Sequence, residues 1–137
     1  MKRYTGYKST KRSKFGVDIS SAGKRRRTLD GVTFGSGWEV TRYGYLKIRL
    51  RAGEISDLEL HPKFEIIPAF AHQGKHYRAA SYAADFQYID VATGKTVVEE
   101  VKGMESRDFT LRKKLFLIQN PDIVYKLLKT KKSLTED

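Results

Sequence analysis

The chain has 137 residues, 39% apolar and 12% aromatic, which is enough for one packed domain and excludes wholesale disorder. It has no cysteine, which excludes a disulfide frame and a thiolate metal site and suits a reducing cytoplasm; no apolar run approaches the ~20 residues that span a bilayer, and the opening MKRYTGYKSTKRSK lacks the apolar stretch of a secretory leader. The net charge of +11 is uneven, with ten Lys and Arg against two acids in residues 1–30 and seventeen against fourteen in residues 31–137, so a soluble body with a basic arm is expected.

The arm, residues 1–30, is expected to be flexible. It interleaves Lys11, Arg12, Lys14 and the block Lys24-Arg25-Arg26-Arg27 with Tyr4, Tyr7 and Phe15. Lysine and arginine release counterions from phosphate and aromatic rings stack on bases, so this pattern predicts contact with nucleic acid. A solvated tail is the plainer alternative. A membrane surface would select an amphipathic apolar stripe, which the arm lacks.

Asp30-Gly31 marks a turn, and the body, residues 31–128, follows it. Tyr43, Leu46 and Leu50 recur at helical steps, which predicts a first helix from Ser36 to Ala52 with Gly53 as its stop. The segment 58–70 is rich in β-branched and aromatic residues and reads as a strand limited by Pro62 and Pro68. A polar turn at 72–75 leads to a long second strand, 76–90, and the turn 92–95 returns the chain into 96–103 as a hairpin. Leu111, Leu115 and Ile118 predict a second helix between a Ser106 cap and the stop Asn120-Pro121. An edge strand at 122–128 and a loose tail at 129–137 complete the chain. The order is helix, three strands, helix, strand, an α/β fold with a small mixed sheet and flanking helices.

The stretch VVEEVKG, residues 97–103, places three charges in one strand. Side chains alternate along a strand, so Glu100 and Lys102 share one face and Glu99 takes the other, where a structural or surface role is expected. On the preceding strand Asp85 interrupts the apolar-aromatic run YAADFQY. A half-buried carboxylate costs free energy unless it is paired or holds a metal. Across the hairpin Asp85 and Glu100 are placed to converge on one cation. Two carboxylates with the Val101 carbonyl make an oxygen site suited to Mg²⁺, with Mn²⁺ as a substitute. Such a metal activates water at a phosphodiester, and Lys102 would set an ammonium beside the phosphate.

Asp85 followed by Glu100-Val101-Lys102, on a helix, three-strand, helix frame, resembles the PD-(D/E)XK nuclease superfamily. Ala84 stands where that superfamily usually has proline. Residues 30–34, 52–70, 82–86 and 98–103 together also resemble a family of small phage-encoded proteins assigned to this class. The resemblance covers roughly residues 28–120. It implies a restriction-endonuclease-like core and a Mg²⁺-dependent endonuclease that hydrolyses DNA, with Holliday junction resolution as the expected role in recombination. It also implies Asp85, Glu100 and Lys102 as catalytic residues, with Glu39 as an added acid from the first helix.

Each of these residues has a plainer reading. Glu39 lies in S-x-x-E, a capping box. Glu65 reads as an exposed edge charge, the alternative being a reach into the site from a neighbouring strand, and His61, His72 and His76, without mutual ligand spacing, read as surface or hydrogen-bonded residues. Lys113 and Lys114 are placed to touch phosphate or simply to line a wet helix face, and Gln119 stands where some superfamily members keep a helper. Two functional classes stay open: a nuclease, on junctions or else on flaps, ends or linear duplex, and a non-catalytic nucleic-acid-binding module. Two coordinated nicks in a junction would favour a homodimer. No small-molecule cofactor and no membrane partner are expected.

Overall fold

A computed structural model of the chain describes residues 12–13 and 16–137. Lys11 and Lys14 of the arm lie outside the described residues. In chain order the elements are α1 (Ser21–Arg26), β1 (Thr28–Leu29), β2 (Val32–Thr33), α2 (Gly37–Arg51), β3 (Ile55–Leu60), β4 (Lys63–Ile67), β5 (Phe70–His72), β6 (Lys75–Tyr77), β7 (Ala80–Ala83), β8 (Phe86–Asp90), β9 (Thr96–Val101), α3 (Arg107–Gln119) and β10 (Val124–Leu128), with a 3₁₀ turn at Lys132–Thr135.

The centre is a four-stranded mixed sheet of order β10-β9-β8-β3, in which β10 runs parallel to β9 and the other pairs are antiparallel. This is a mixed α/β fold with flanking helices. Alternation along the strands divides the interior into two cores. Phe34, Tyr43, Leu46, Phe86, Tyr88, Val97 and Val101 pack on the α2 face, while Val98, Phe109, Phe116, Tyr82 and Ile66 pack on the α3 face. Each such side chain, once buried, contributes about 1.5–3 kcal/mol.

Local signals account for the element ends. The Ser36 hydroxyl accepts from the Glu39 N–H at 3.3 Å to start α2, the Ser106 hydroxyl accepts from the Phe109 N–H at 3.1 Å to start α3, and Gly53 leaves α2 with φ +74°. Asp30 and Gly31 both have positive φ, 52° and 77°, which matches the right-handed twist of a two-residue hairpin between β1 and β2.

Several expectations are corrected. The segment expected as one strand over 58–70 is divided among β3, β4 and β5 at Pro62 and Pro68, each without an N–H for a ladder, and the expected long strand 76–90 is β6, β7 and β8. The order expected from the sequence therefore omits the strands inserted between β3 and β8. In α3 the expected stripe is only partly inward: Leu115 packs against the core, but Leu111 and Ile118 are 60% and 77% exposed, and Phe109 and Phe116, seven residues apart, are buried. The two large rings fill more of the core than the aliphatic stripe would.

The ends of the body are also better tied than expected. Ser20 caps α1, and Arg27 donates to the carbonyls of Phe34 and Asp18, which fastens the last third of the expected arm to the domain. Beyond β10, Leu134 is buried in the α2-side core, and the Asp137 carboxylate meets Arg42 at 3.1 Å and Arg49 at 3.0 Å. The residues expected as a loose tail are held by that burial and by those charges.

Candidate active site

The site lies where the end of β3, the start of β8 and the end of β9 meet beside the first turn of α2. Asp85 sits at the bend between β7 and β8. Its N–H donates to the Glu99 carbonyl at 3.0 Å, and its Oδ2 accepts from the Val101 N–H at 2.7 Å. Asp85 is thus held to β9 on both sides of Glu100, by its backbone N–H and by Oδ2, leaving Oδ1 without a bond to that strand. In extended chain the N–H and C=O of one residue point to the same side. The Val101 carbonyl therefore faces the Asp85 side of β9, as a backbone ligand requires.

Glu100 is buried on the α3 face. Its Oε2 accepts from the Tyr82 hydroxyl at 3.1 Å, and that hydroxyl shares a 2.9 Å bond with the Tyr125 hydroxyl. Lys102, two residues on, brings its Nζ to 4.0 Å from Glu100 Oε1 and 4.4 Å from the centre of the Phe109 ring. The expected sharing of a face by Glu100 and Lys102 is what the strand produces.

Glu39 takes part in the start of α2 and also lies beside the other acids. It caps α2, with Oε1 accepting from the Ser36 hydroxyl at 3.2 Å and Oε2 from the Gly35 N–H at 3.3 Å. It also belongs to a cluster in which one ligand atom each of Glu39, His61 and Asp85 lie within 4.8 Å of one another.

His61 is exposed, as expected, and stands beside the acids. Its backbone N–H donates to the Asp85 carbonyl at 2.9 Å, and its ring centre lies 5.9 Å from that of Phe34. Leu60 pairs with Phe86, so the antiparallel ladder sets the residue after β3 against the residue before β8. The one signal for this in the sequence is polarity: in antiparallel neighbours the end of one strand adjoins the start of the next.

Three acids share this small space with one nearby lysine. Burial foremost, then the charges of Glu100 and Glu39, push the Asp85 carboxyl well above the usual carboxylate range, against the Val101 N–H and Lys102. Burial also drives Glu100 upward, with Lys102 and the Tyr82 hydroxyl opposing and Glu39 adding to the rise. A site that holds protons for lack of positive charge is one that a divalent cation would relieve. The donor set fits such an ion: carboxylates and a carbonyl suit Mg²⁺ or Mn²⁺, and the His61 imidazole extends the set toward Mn²⁺.

The remaining predicted residues separate. Glu99 is fully buried on the opposite face, bound by Arg42 at 2.7 and 2.5 Å and by the Tyr88 hydroxyl at 2.5 Å, so its role is structural and the surface alternative is excluded. Gln119 donates to the Ile66 carbonyl at 2.7 Å and holds α3 to β4 rather than entering the site. Glu65 is exposed on β4. Lys113 is engaged with Glu105 at 2.7 Å, while Lys114 is exposed. Of the arm, Arg12, Lys24 and Arg25 are exposed, Arg26 pairs with Asp18 at 2.7 Å, and Arg27 serves the fold. None of the described helices is long and apolar enough to cross a membrane.

No curated protein and no solved structure matches the chain. A family model described as "Protein of unknown function (DUF1064)" matches residues 20–135, most of the chain, and the protein accordingly belongs to that family.

Proposed function

We propose that this protein is a Mg²⁺- or Mn²⁺-dependent endodeoxyribonuclease of the PD-(D/E)XK type, acting on branched DNA as a junction resolvase does. The observation that supports the reading is the cluster of Glu39, His61 and Asp85, whose ligand atoms lie within 4.8 Å of one another, with Glu100 and Lys102 outside that cluster on the adjoining strand and too little positive charge nearby to balance the acids. A structural ion network of this size is expected to be neutralised; this one is not.

Asp85 through Oδ1, Glu100 and the Val101 carbonyl would hold the ion, with Glu39 and His61 close enough to take a second position or a bound water. The ion, when bound, supplies a charge that stabilises the phosphodiester transition state and lowers the pKa of water. The Val101 N–H fixes the Asp85 carboxylate so that it needs no reorganisation when substrate arrives. The Tyr82–Tyr125 pair orients Glu100 in the same way. Lys102, a third exposed and held over the Phe109 ring, presents its ammonium to a phosphate oxygen or to the attacking water. The exposed cations of α1 and the arm suit the flanking duplex. Two-fold pairing of such sites on one junction would give paired nicks.

The 4.0 Å approach of Lys102 to Glu100 is what favours the second reading, a non-catalytic nucleic-acid-binding module in which these charges only compensate one another. Purified protein incubated with labelled four-way junction, flap, single-stranded and linear duplex DNA, in Mg²⁺, Mn²⁺ or EDTA, separates the two. Metal-dependent nicking that prefers the junction is expected. Binding without any cutting across the panel would leave only the module.

A further inference from the structure

The chain between His61 and Asp85 leaves the sheet and returns to it as one antiparallel excursion. Its two feet are beside the carboxylates: the His61 N–H donates to the Asp85 carbonyl at 2.9 Å and the Ala84 N–H to the Pro62 carbonyl at 3.0 Å. The proximal half, β4 paired with β7, is anchored. Ile66 and Tyr82 are buried, Gln119 bonds the Ile66 carbonyl at 2.7 Å, and Arg112 bonds the Ser81 carbonyl at 2.6 Å.

The distal half is different. Every residue from Ile67 to Ala79 is exposed. Phe70 pairs with Tyr77, Ala71 with His76 and His72 with Lys75, and Gln73-Gly74, with φ of 49° and 78°, closes the tip in the left-handed geometry of a tight hairpin. Three paired residues on each side carry the tip about 10 Å beyond the start of β5.

A lone two-stranded hairpin is marginal in water, and both of its edges are open to other chains. This one spends its exposed surface on a stacked aromatic pair, Phe70 and Tyr77, with ring centres 4.9 Å apart, 7° from parallel, and 48% and 39% exposed. On the face of that pair stand His72 and Lys75, whose Nζ lies 5.1 Å from the Tyr77 ring centre; His76 takes the other face, Arg78 follows Tyr77, and residues 66–79 contain no aspartate or glutamate. A surface that is aromatic, basic and free of acids complements a polyanion. Two strands about 4.8 Å apart also fit a duplex groove about 12 Å wide.

We infer that the β5–β6 hairpin is a nucleic-acid-contacting ribbon, laid against the same DNA duplex on which the Asp85 site acts. The inference rests on the proposed nuclease reading for its choice of partner. Lys75 and Arg78 reach phosphates, and the Phe70–Tyr77 stack meets bases where the duplex opens or bends. The anchored β4–β7 base transmits the register of the ribbon on the DNA to the carboxylates at its feet.

Fluorescence anisotropy in EDTA, with a labelled four-way junction and a matched linear duplex, tests this on the full chain. The double variant Lys75→Ala/Arg78→Ala is expected to weaken binding about tenfold and to reduce the slope of log affinity against log salt by about 2, from two lost phosphate contacts. Phe70→Ala/Tyr77→Ala is expected to weaken junction binding about fivefold with the slope unchanged. Both pairs are exposed, and circular dichroism melts matching the wild type would show the domain intact. Wild-type affinity and slope in both variants would overturn the inference. So would a change of oligomeric state with DNA binding unaltered, which would give the ribbon to a second copy of the chain. Wild-type protein that binds but never cuts sinks the hydrolase reading alone; wild-type protein that binds no DNA sinks both.

Discussion

Glu99 and Glu100 are neighbours in one strand and live in opposite electrostatic worlds. Glu99 faces α2, is fully buried, and is answered by the Arg42 guanidinium through two bonds and by Tyr88 through a third. Burial opposes the charge on Arg42, but the bonds and charge of Glu99 and Asp137 prevail and raise its pKa. Glu100 faces α3, where the Tyr82 hydroxyl and a single lysine at 4.0 Å stand against it and two further acids. The first arrangement is closed and balanced; the second is open and short of positive charge. A pair of charges that satisfies itself belongs to the fold, whereas the unbalanced group is where the proposed metal would act.

Breaking the balanced side should have the largest effect on stability. Arg42→Ala leaves Glu99 buried without its partner, and urea unfolding is expected to show a loss of about 3–5 kcal/mol. The double replacement Arg42→Met/Glu99→Leu is expected to recover most of it, since an apolar pair leaves no orphaned charge. A single variant as stable as the wild type would remove the contrast between the two faces.

Asp85→Asn acts on the unbalanced side and should reverse the pattern. Junction cleavage in Mg²⁺ is expected to fall at least about 10²-fold while the unfolding midpoint holds or rises. Lys102→Ala should behave alike in cleavage and leave binding in EDTA nearly intact. Undiminished cutting by both would sink the assignment of the site.

The pH dependence sharpens the same comparison. Asp85 and Glu100 have folded pKa values raised above the unfolded ones, so the unfolded chain ionises first, from about pH 4. Their contribution to the stability of metal-free protein is therefore full below that pH and is lost as pH rises through their folded values. Thermal melts in EDTA should show the protein losing stability from pH 5 to pH 8.5, with Asp85→Asn flattening the loss and added Mn²⁺ opposing it. A wild-type profile that climbs over this range would contradict the crowding of acids.

The smallest effect is expected at Tyr82→Phe. It removes one bond to Glu100 and one to Tyr125 while keeping the ring in the core, at a cost of about 1 kcal/mol in stability. A shift in the pH profile of cleavage would show that the hydroxyl also tunes Glu100.

Much of this site was legible before any tertiary information. Alternation along 97–103 separated Glu99 from Glu100 and joined Lys102 to the latter, and the hairpin at 92–95 brought Asp85 beside them. Capping residues set the starts of both long helices, because those bonds lie within four residues of the chain. The phase of α3 is not legible in the sequence because its apolar positions do not form one stripe, and the rings of Phe109 and Phe116 decide which face turns inward. The inserted ribbon was hidden because its strands are short and interrupted by proline, so their alternation never runs long enough to register.

The sequence by itself therefore determined which side chains share a face, where the helices begin, and that an aspartate and an E-x-K strand form one hairpin. These are consequences of backbone periodicity and of bonds to near neighbours. Only the tertiary structure decided that Arg42, 57 residues away, closes off Glu99, and that His61 joins Glu39 and Asp85. It alone decided that Asp137 locks the end of the chain onto α2. Those pairings depend on burial and on which charges happen to be enclosed together, and no local pattern carries that information.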